Sequence, residues 1–211
     1  MVIENKYKAF WPRVGAGFLD SAVFAPLVWI DWAFWNATSS PVVLMFWFFI
    51  YQALNIGYVV GFTYYYGQTL GKMATGIVIL DKSESPITFG QAIIRHIVPI
   101  ILGFVSIGFV FNNLLAGNIA NRGLGAFSNV LMVGFVAFGW LALEWVTMLF
   151  NSKRRAFHDF IAGTVVVRQS VEEKRKNSRT IMWVLIALLL INSFFSRYLT
   201  SIDSNLQFPI G

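Results

Sequence analysis

Two acidic side chains lie inside long apolar runs of this sequence, where a charge needs a partner. Asp20 follows Arg13 in the first run, and Glu144 lies shortly before Phe150 at the end of a later one. Burial and a neighbouring like charge both raise the pKa of a carboxyl group, which suits proton or cation binding. A nearby basic residue has the opposite effect and favours plain ion pairing. Both kinds of chemistry are open from the residues alone.

Six ionisable residues are expected to meet at one end of the apolar helices: Arg13, Asp20, Lys72, Arg95, Glu144 and Asp159. Asp20 lies about 10 Å along a helix from Arg13, at ~1.5 Å per residue, so these two do not touch directly. Asp159 is the better partner for Arg13. Lys72, Arg95 or a proton is the better partner for Asp20. The cluster is therefore either a structural latch or a transport site, and one role does not exclude the other.

Three further residues are secondary candidates. Asp31 lies three helical turns after Asp20 and is either an aspartate at head-group level or the outer mouth of a path. His158 could order Asp159 by a hydrogen bond or cap a short helix. Gln68 belongs to a glycine-rich block that follows the second apolar run. His158 and Asp159 alone supply too few ligands for a metal ion, so no metal or cofactor is expected.

The composition is that of an integral membrane protein. The 211 residues are 57% hydrophobic and 12% charged, with a mean hydropathy of +0.65, whereas soluble domains carry about 25% charged residues. The absence of cysteine excludes disulfides and thiolate chemistry. No enzyme motif is present, so an enzyme is not expected. The lipid bilayer is the expected partner, and nucleic acid is not.

Five apolar segments are long enough to cross a bilayer as helices. They are residues 14–35, 41–65, 92–115, 127–150 and 180–199. Fourteen of the 16 basic residues fall on one side if the segments alternate. Because basic residues accumulate in the cytoplasm, this predicts an all-α bundle of five transmembrane helices with its N-terminus inside and its C-terminus outside. We therefore expect a multi-pass protein of the inner membrane.

The two cytoplasmic connections resemble each other. Each is predicted to form a short interfacial helix, a glycine and a β-strand, and a second short strand is predicted at residues 87–90. Gly76 and Gly163 align in the two connections, as do Arg13 and Arg95 at the starts of the first and third apolar segments. The pattern favours two copies of one unit in parallel orientation, although chance similarity between two amphipathic loops gives the same match.

The predicted domains are a core at residues 1–168, a basic linker at 169–179, and a fifth helix with an external tail at 180–211.

Three sequence blocks resemble the RDD family of small membrane proteins, which is named for one arginine and two aspartates. Arg13 and Asp20 match the family's first block, and Asp159 lies in a His-Asp-x-x-Ala-Gly-Thr block. A Gly-Gln-Thr-x-Gly-Lys block matches residues 67–72. The resemblance covers about residues 10–168 and makes the fifth helix an addition. It implies transport, with cation/proton antiport in one branch, whereas another branch resembles assembly factors.

The expected function is a small secondary transporter that is coupled to a cation or a proton. Four or five helices leave little room for an enclosed path, so a homo-oligomer is expected. The alternatives are a membrane scaffold or accessory subunit that does not transport, and a protein that binds lipids or amphiphiles between its helices.

Overall fold

Long helices dominate the computed structural model, which describes residues 6–37, 40–115, 124–151, 153–169, 180–194 and 197. Within the helices, the side chains of residues 28, 31–37, 110, 113–115 and 124–133 are not described. Most of the predicted basic linker and most of the predicted external tail therefore lie outside the described residues. So does the end of the fifth apolar segment, except for residue 197.

Four long helices occupy the first four apolar segments: α1 at Phe10–Ala37, α2 at Pro41–Tyr66, α4 at Phe89–Leu115 and α5 at Leu124–Leu149. Two short helices lie between or after them: α3 at Leu70–Thr75 and α6 at Phe157–Ala162. Two strands follow the short helices: β1 at Ile77–Asp81 and β2 at Thr164–Arg168. Helix α7 at Thr180–Phe194 comes last.

Two of these helices are long and apolar enough to cross a membrane within the described part of the chain. They are Pro41–Tyr66 and Phe89–Phe109, while Gly134–Leu149 and Thr180–Phe194 are shorter apolar helices. Large apolar side chains also point away from the protein, among them Phe46 and Phe138, each about two-thirds exposed. Such outward apolar surface is typical of helices that face lipid.

The same order of elements occurs twice, as the sequence pattern predicts. In each half, two long helices precede a six-residue helix, a glycine and a five-residue strand. Gly76 and Gly163 both adopt the left-handed conformation, with φ of 70° and 66°, which glycine reaches without steric cost. The strands pair antiparallel about Ile79 and Val166, the arrangement that a two-fold axis through the sheet produces.

The predicted strand at residues 87–90 is wrong, because this segment begins α4. Ile87 and Thr88 are irregular, and the helix starts at Phe89. The Gln91 side chain accepts a hydrogen bond from the Thr88 amide at 2.9 Å, and the Thr88 hydroxyl accepts one from the Gln91 amide at 3.3 Å. This reciprocal capping box satisfies backbone donors at the helix start and outweighs the β propensity of the isoleucine and threonine.

The small sheet joins the two halves of the protein. Ile77, Ile79 and Val166 are completely buried and pack with Ala16 of α1 and Val60 of α2 in one apolar cluster. The short helices α3 and α6 lie at this same end of the long helices, where α1 and α4 begin. Basic and acidic residues that are distant in sequence are thereby brought together.

Helix α7 packs against the first half of the chain. Leu185 is buried in a second apolar cluster with Ala22 of α1 and Ala74 of α3. Near the other end of α1, the Trp29 indole donates a hydrogen bond of 2.6 Å to the Asn192 side chain. The helix formed by the fifth apolar segment therefore packs against α1 as part of the fold.

Candidate functional site

The Asp20 carboxylate of α1 is bound by three donors from α2 and α3. Its Oδ1 accepts hydrogen bonds from the Tyr58 hydroxyl at 2.6 Å and from the Gly71 amide at 2.7 Å. Its Oδ2 accepts one from the Thr69 hydroxyl at 2.6 Å. The Gly71 amide is one of the unpaired donors in the first turn of α3, so Asp20 caps a helix from a different part of the chain.

The close approach of Asp20 to α3 requires glycine at position 71. A Cβ atom built on Gly71 would lie 2.9 Å from the Asp20 carboxyl carbon and would overlap the backbone oxygen of Ala16. The Tyr58 hydroxyl completes this junction, because it also accepts a hydrogen bond of 3.0 Å from the Leu70 amide. Helix α3 is thus held by its first two amides against α1 and α2.

Lys72 lies next to this junction without an ion pair to Asp20, its predicted partner. Its Nζ donates a hydrogen bond of 3.2 Å to the Thr69 hydroxyl, which stands between Lys72 and Asp20. No carboxylate among the described residues lies within 4.0 Å of Nζ, so the predicted pairing with Asp20 is indirect. Burial lowers the pKa of Lys72 to about 8, with Asp20 opposing this effect and Arg95 and Arg13 adding to it.

The second aspartate, Asp159 of α6, is fully buried between two arginines. Its Oδ2 accepts a hydrogen bond from Arg13 Nη1 at 2.7 Å, and its Oδ1 forms an ion pair with Arg95 Nη1. The Arg13–Asp159 ion pair that the sequence predicts is therefore present. Burial opposes ionisation of Asp159, but Arg95 and Arg13 outweigh it and hold the pKa of this carboxyl well below its usual range.

Backbone and hydroxyl groups complete the Asp159 site. The Ala156 amide donates a hydrogen bond of 2.8 Å to Oδ2, so Asp159 satisfies a donor at the start of its own helix. The Thr164 hydroxyl accepts a hydrogen bond from Arg95 at 2.6 Å and donates one to Oδ1 at 3.2 Å. Arg155 holds the surrounding backbone by donating to the carbonyl oxygens of Asp159 and Thr164 at 2.8 and 3.0 Å.

Glu144 of α5 pairs with His158 of α6. His158 Nδ1 lies 2.5 Å from Glu144 Oε1, and His158 Nε2 lies 3.5 Å from Asp159 Oδ1. An ionised carboxylate can only accept a hydrogen bond, so Nδ1 carries the hydrogen when Glu144 is charged. Burial lowers the pKa of His158, and Arg95 reinforces this effect while Asp159 and Glu144 oppose it. The imidazole is therefore neutral at pH 7.

These groups surround a cavity of about 390 Å³ between α1, α4 and α5. The ionisable residues that line it are Arg13, Asp20, Lys72, Arg95, His96, Glu144 and His158. Phe18, Leu141, Trp145 and Met148 contribute to the apolar part of its wall. Five of the six predicted cluster residues thus line one cavity, and the sixth, Asp159, lies behind it in contact with Arg13 and Arg95.

The secondary candidates have different outcomes. His158 contacts Glu144 and lies near Asp159, as described above. Gln68 is buried, and its Nε2 has no hydrogen-bond partner among the described residues. The side chain of Asp31 lies outside the described residues, so its predicted position at the outer interface stays a prediction.

Sequence reasoning missed four residues that complete the two aspartate sites. Thr69 and Gly71 belong to the glycine-rich block at residues 67–72, and Thr164 ends the His-Asp block, so their motifs carried a signal. No sequence motif pointed to Tyr58, because a tyrosine inside an apolar helix serves equally often as a packing residue.

A comparison with known protein families gave a match. The profile described as the RDD family matches residues 7–163, which include Arg13, both aspartates and Glu144. A search of curated proteins found no match.

Proposed function

This chain belongs to the RDD family, and from that premise we propose that it is a small multi-pass transporter of the inner membrane, coupled to protons. The cavity between α1, α4 and α5 is its solute site. The family resemblance suggests antiport of a cation against protons, and the solute path is completed in a homo-oligomer.

The membrane arrangement proposed here has five spans, with the N-terminus inside. Two helices of the described part meet the length and hydropathy of a span, and two more are apolar over a shorter length. Fourteen of the 16 basic residues fall on the side that holds α3, α6 and the sheet in this arrangement. The positive-inside rule supports a cytoplasmic location for that side.

The observation that carries the proposal is the contact between Glu144 and His158 in the wall of the cavity. A carboxylate and a neutral imidazole form a pair with one negative charge, and uptake of one proton makes the pair neutral. The net charge of the cavity lining then changes by one unit without a change in the ion pairs of Asp159. Proton binding can in this way alter the affinity for a charged solute.

The two aspartates fit a different role. Asp20 has three hydrogen bonds from other elements, and Asp159 has two arginines, an amide and a hydroxyl. Carboxylates with this many donors are fixed in place. We therefore assign Asp20 and Asp159 to holding α3 and α6, and proton exchange to Glu144 and His158.

The test is proton movement in liposomes that contain the purified protein and the pH dye pyranine. Addition of Na⁺, K⁺, Li⁺ or the permanently charged anion benzenesulfonate to an imposed pH gradient should move protons in the wild type. Glu144→Gln should abolish this movement because it removes the proton-accepting carboxylate. Glu84→Gln, on the turn after β1 and outside the cavity, is the control that should retain it.

Proton movement equal to that of protein-free liposomes with all four solutes would contradict the proposal. Circular dichroism and the elution volume in size-exclusion chromatography show whether Glu144→Gln remains folded.

The second candidate function is a membrane scaffold or accessory subunit without transport. The observation that favours it is the Arg13–Asp159–Arg95 group, which locks two halves of the chain together. This candidate predicts that proton movement in liposomes is the same for Glu144→Gln as for the wild type. It also predicts that a stable partner protein co-purifies in mild detergent.

A further inference from the structure

We propose that the cavity between α1, α4 and α5 binds a small organic anion with an apolar body, together with one proton at the Glu144–His158 pair. The inference gives the proposed transporter an anion as its solute, in place of the cation that the family resemblance suggests, and rests on that function only where the bound anion is also carried.

The ammonium group of Lys72, which lines this cavity, has unpaired donors. Lys72 Nζ makes one hydrogen bond within the described part of the chain, to Thr69, although an ammonium group has three donors. A buried donor without a partner is costly, and an anion supplies the acceptor that Lys72 lacks.

The carboxylates that face these donors are already engaged. Asp20 accepts three hydrogen bonds, and Asp159 lies between Arg13 and Arg95. Glu144 contacts His158 through Oε1, and a proton on this pair removes its negative charge. A metal cation needs charged oxygen ligands with free lone pairs, whereas Lys72 still offers N–H donors once the pair is protonated. The cavity is therefore better matched to an anion than to a cation.

The charge balance explains why a proton accompanies the anion. Arg13, Lys72 and Arg95 are balanced by the three carboxylates Asp20, Glu144 and Asp159, with His158 neutral. His96, the other imidazole in the wall, lies 3.4 Å from the Thr63 hydroxyl and does not alter this balance when neutral. One proton on the Glu144–His158 pair leaves the group with one positive charge, which a monoanion neutralises.

The remaining wall gives the ligand its apolar part and its size. Phe18, Trp145 and Met148 face the cavity, and Phe18 and Trp145 are also exposed towards the surroundings of the helices. A volume of about 390 Å³ is near the lower end of small-molecule sites, which span about 300–1,000 Å³. A ring or short chain with one acidic group fits this description. Such a group is found on a soluble anion and on an anionic lipid.

Titration calorimetry with the protein in phosphatidylcholine nanodiscs tests the site without a pH gradient. Benzenesulfonate should bind with saturation above the signal of empty nanodiscs, and more tightly at pH 5.5 than at pH 7, a range in which Lys72 keeps its charge. Buffers with different ionisation enthalpies should report uptake of about one proton per anion. The matched cation benzyltrimethylammonium should bind more weakly.

Two variants separate the anion site from the proton site. Lys72→Met should weaken benzenesulfonate binding by about tenfold or more, because a charge-assisted hydrogen bond is lost. Glu144→Gln imitates the protonated pair, so it should bind at pH 7 as tightly as the wild type at pH 5.5 and take up no proton. Because this variant gains affinity, misfolding cannot produce the expected result.

Several outcomes would overturn the inference: no saturable benzenesulfonate binding, equal binding of the cation, or weaker binding in Glu144→Gln. A lipid source is indicated if phosphatidylglycerol in the nanodiscs competes with benzenesulfonate, and a soluble source if it does not. Benzenesulfonate binding without flux supports the anion site and contradicts transport. Flux of a cation without benzenesulfonate binding supports transport and contradicts the anion site.

Discussion

Asp20 and Gly71 are joined by a hydrogen bond of 2.7 Å from the Gly71 amide to the Asp20 carboxylate, across 51 positions of sequence. Helix α3 has six residues, and isolated helices shorter than about 12 residues are marginal in water. Its stability therefore depends on tertiary contacts, and Asp20 supplies one at the end where backbone donors are unpaired. The first aspartate of the family block thus positions α3, and through α3 it positions Lys72 at the cavity.

Gly71→Ala should destabilise the protein, because the new Cβ would overlap the Ala16 carbonyl oxygen and crowd the Asp20 carboxylate. The expected loss is about 1–3 kcal/mol in the free energy of unfolding, the usual cost of overpacking. Gly57→Ala is the matched control, because a Cβ at Gly57 has nothing within 4 Å. Thermal unfolding in detergent measures both variants. Equal unfolding temperatures for the two would contradict the close approach.

Asp159→Asn should cost about 3–5 kcal/mol, because it leaves Arg13 and Arg95 buried without a counter-charge. Arg95→Gln should cost more than Arg13→Gln, since the side chain of Arg95 is 3% exposed and that of Arg13 is 10% exposed. A double-mutant cycle should show strong coupling of each arginine to Asp159. Additive losses would show that the three residues do not act as one group.

The charge exchange Arg13→Asp with Asp159→Arg should fail to restore stability. The new arginine at position 159 would face Arg95, which contacts Asp159 in the wild type. The exchanged protein should therefore unfold at a lower temperature than the Arg13→Gln single variant. Recovery to the wild-type temperature would mean that Arg95 does not share the carboxylate.

The stabilisation by Asp159 should persist in mild acid. Arg95 and Arg13 hold the pKa of Asp159 below its ordinary value of 3.8, so the folded state binds fewer protons than the unfolded state at low pH. The contribution is then complete above the ordinary value and is lost as the pH falls towards the folded value. The difference in unfolding temperature between wild type and Asp159→Asn should stay constant from pH 8 to 5. A decrease that begins near pH 6 would contradict this assignment.

The parts of the fold that are local in sequence could be predicted from it, and so could one long-range contact. The apolar runs indicated α1, α2, α4 and α5 because lipid-facing helices need continuous apolar residues. The Arg13–Asp159 pair followed from charge complementarity in a low-dielectric region. The repeated order of short helix, glycine and strand was visible because Gly76 and Gly163 both end a helix in the left-handed conformation.

The rest of the site depends on neutral donors and on packing, which leave little pattern in one sequence. Tyr58, Thr69 and the Gly71 amide bind Asp20, although the sequence suggested Lys72, Arg95 or a proton. Glu144 lines the same cavity as Asp20, and its contact with His158 depends on the turn between α5 and α6. The strand predicted at residues 87–90 was wrong because side-chain capping by Thr88 and Gln91 competes with β propensity.

Lys72 should lose its proton near physiological pH. Burial lowers the pKa of Lys72 to about 8, so about half of the molecules carry a neutral amine at pH 8 and most carry a charged one at pH 7. The ¹³C-methyl signal of Lys72 in reductively methylated protein should titrate with this midpoint, and Lys72→Arg should remove that signal alone. Asp20→Asn should move the midpoint lower, because Asp20 favours the charged amine. A midpoint near the ordinary value of 10.5 would show that Lys72 faces water and that α3 does not hold it against the cavity.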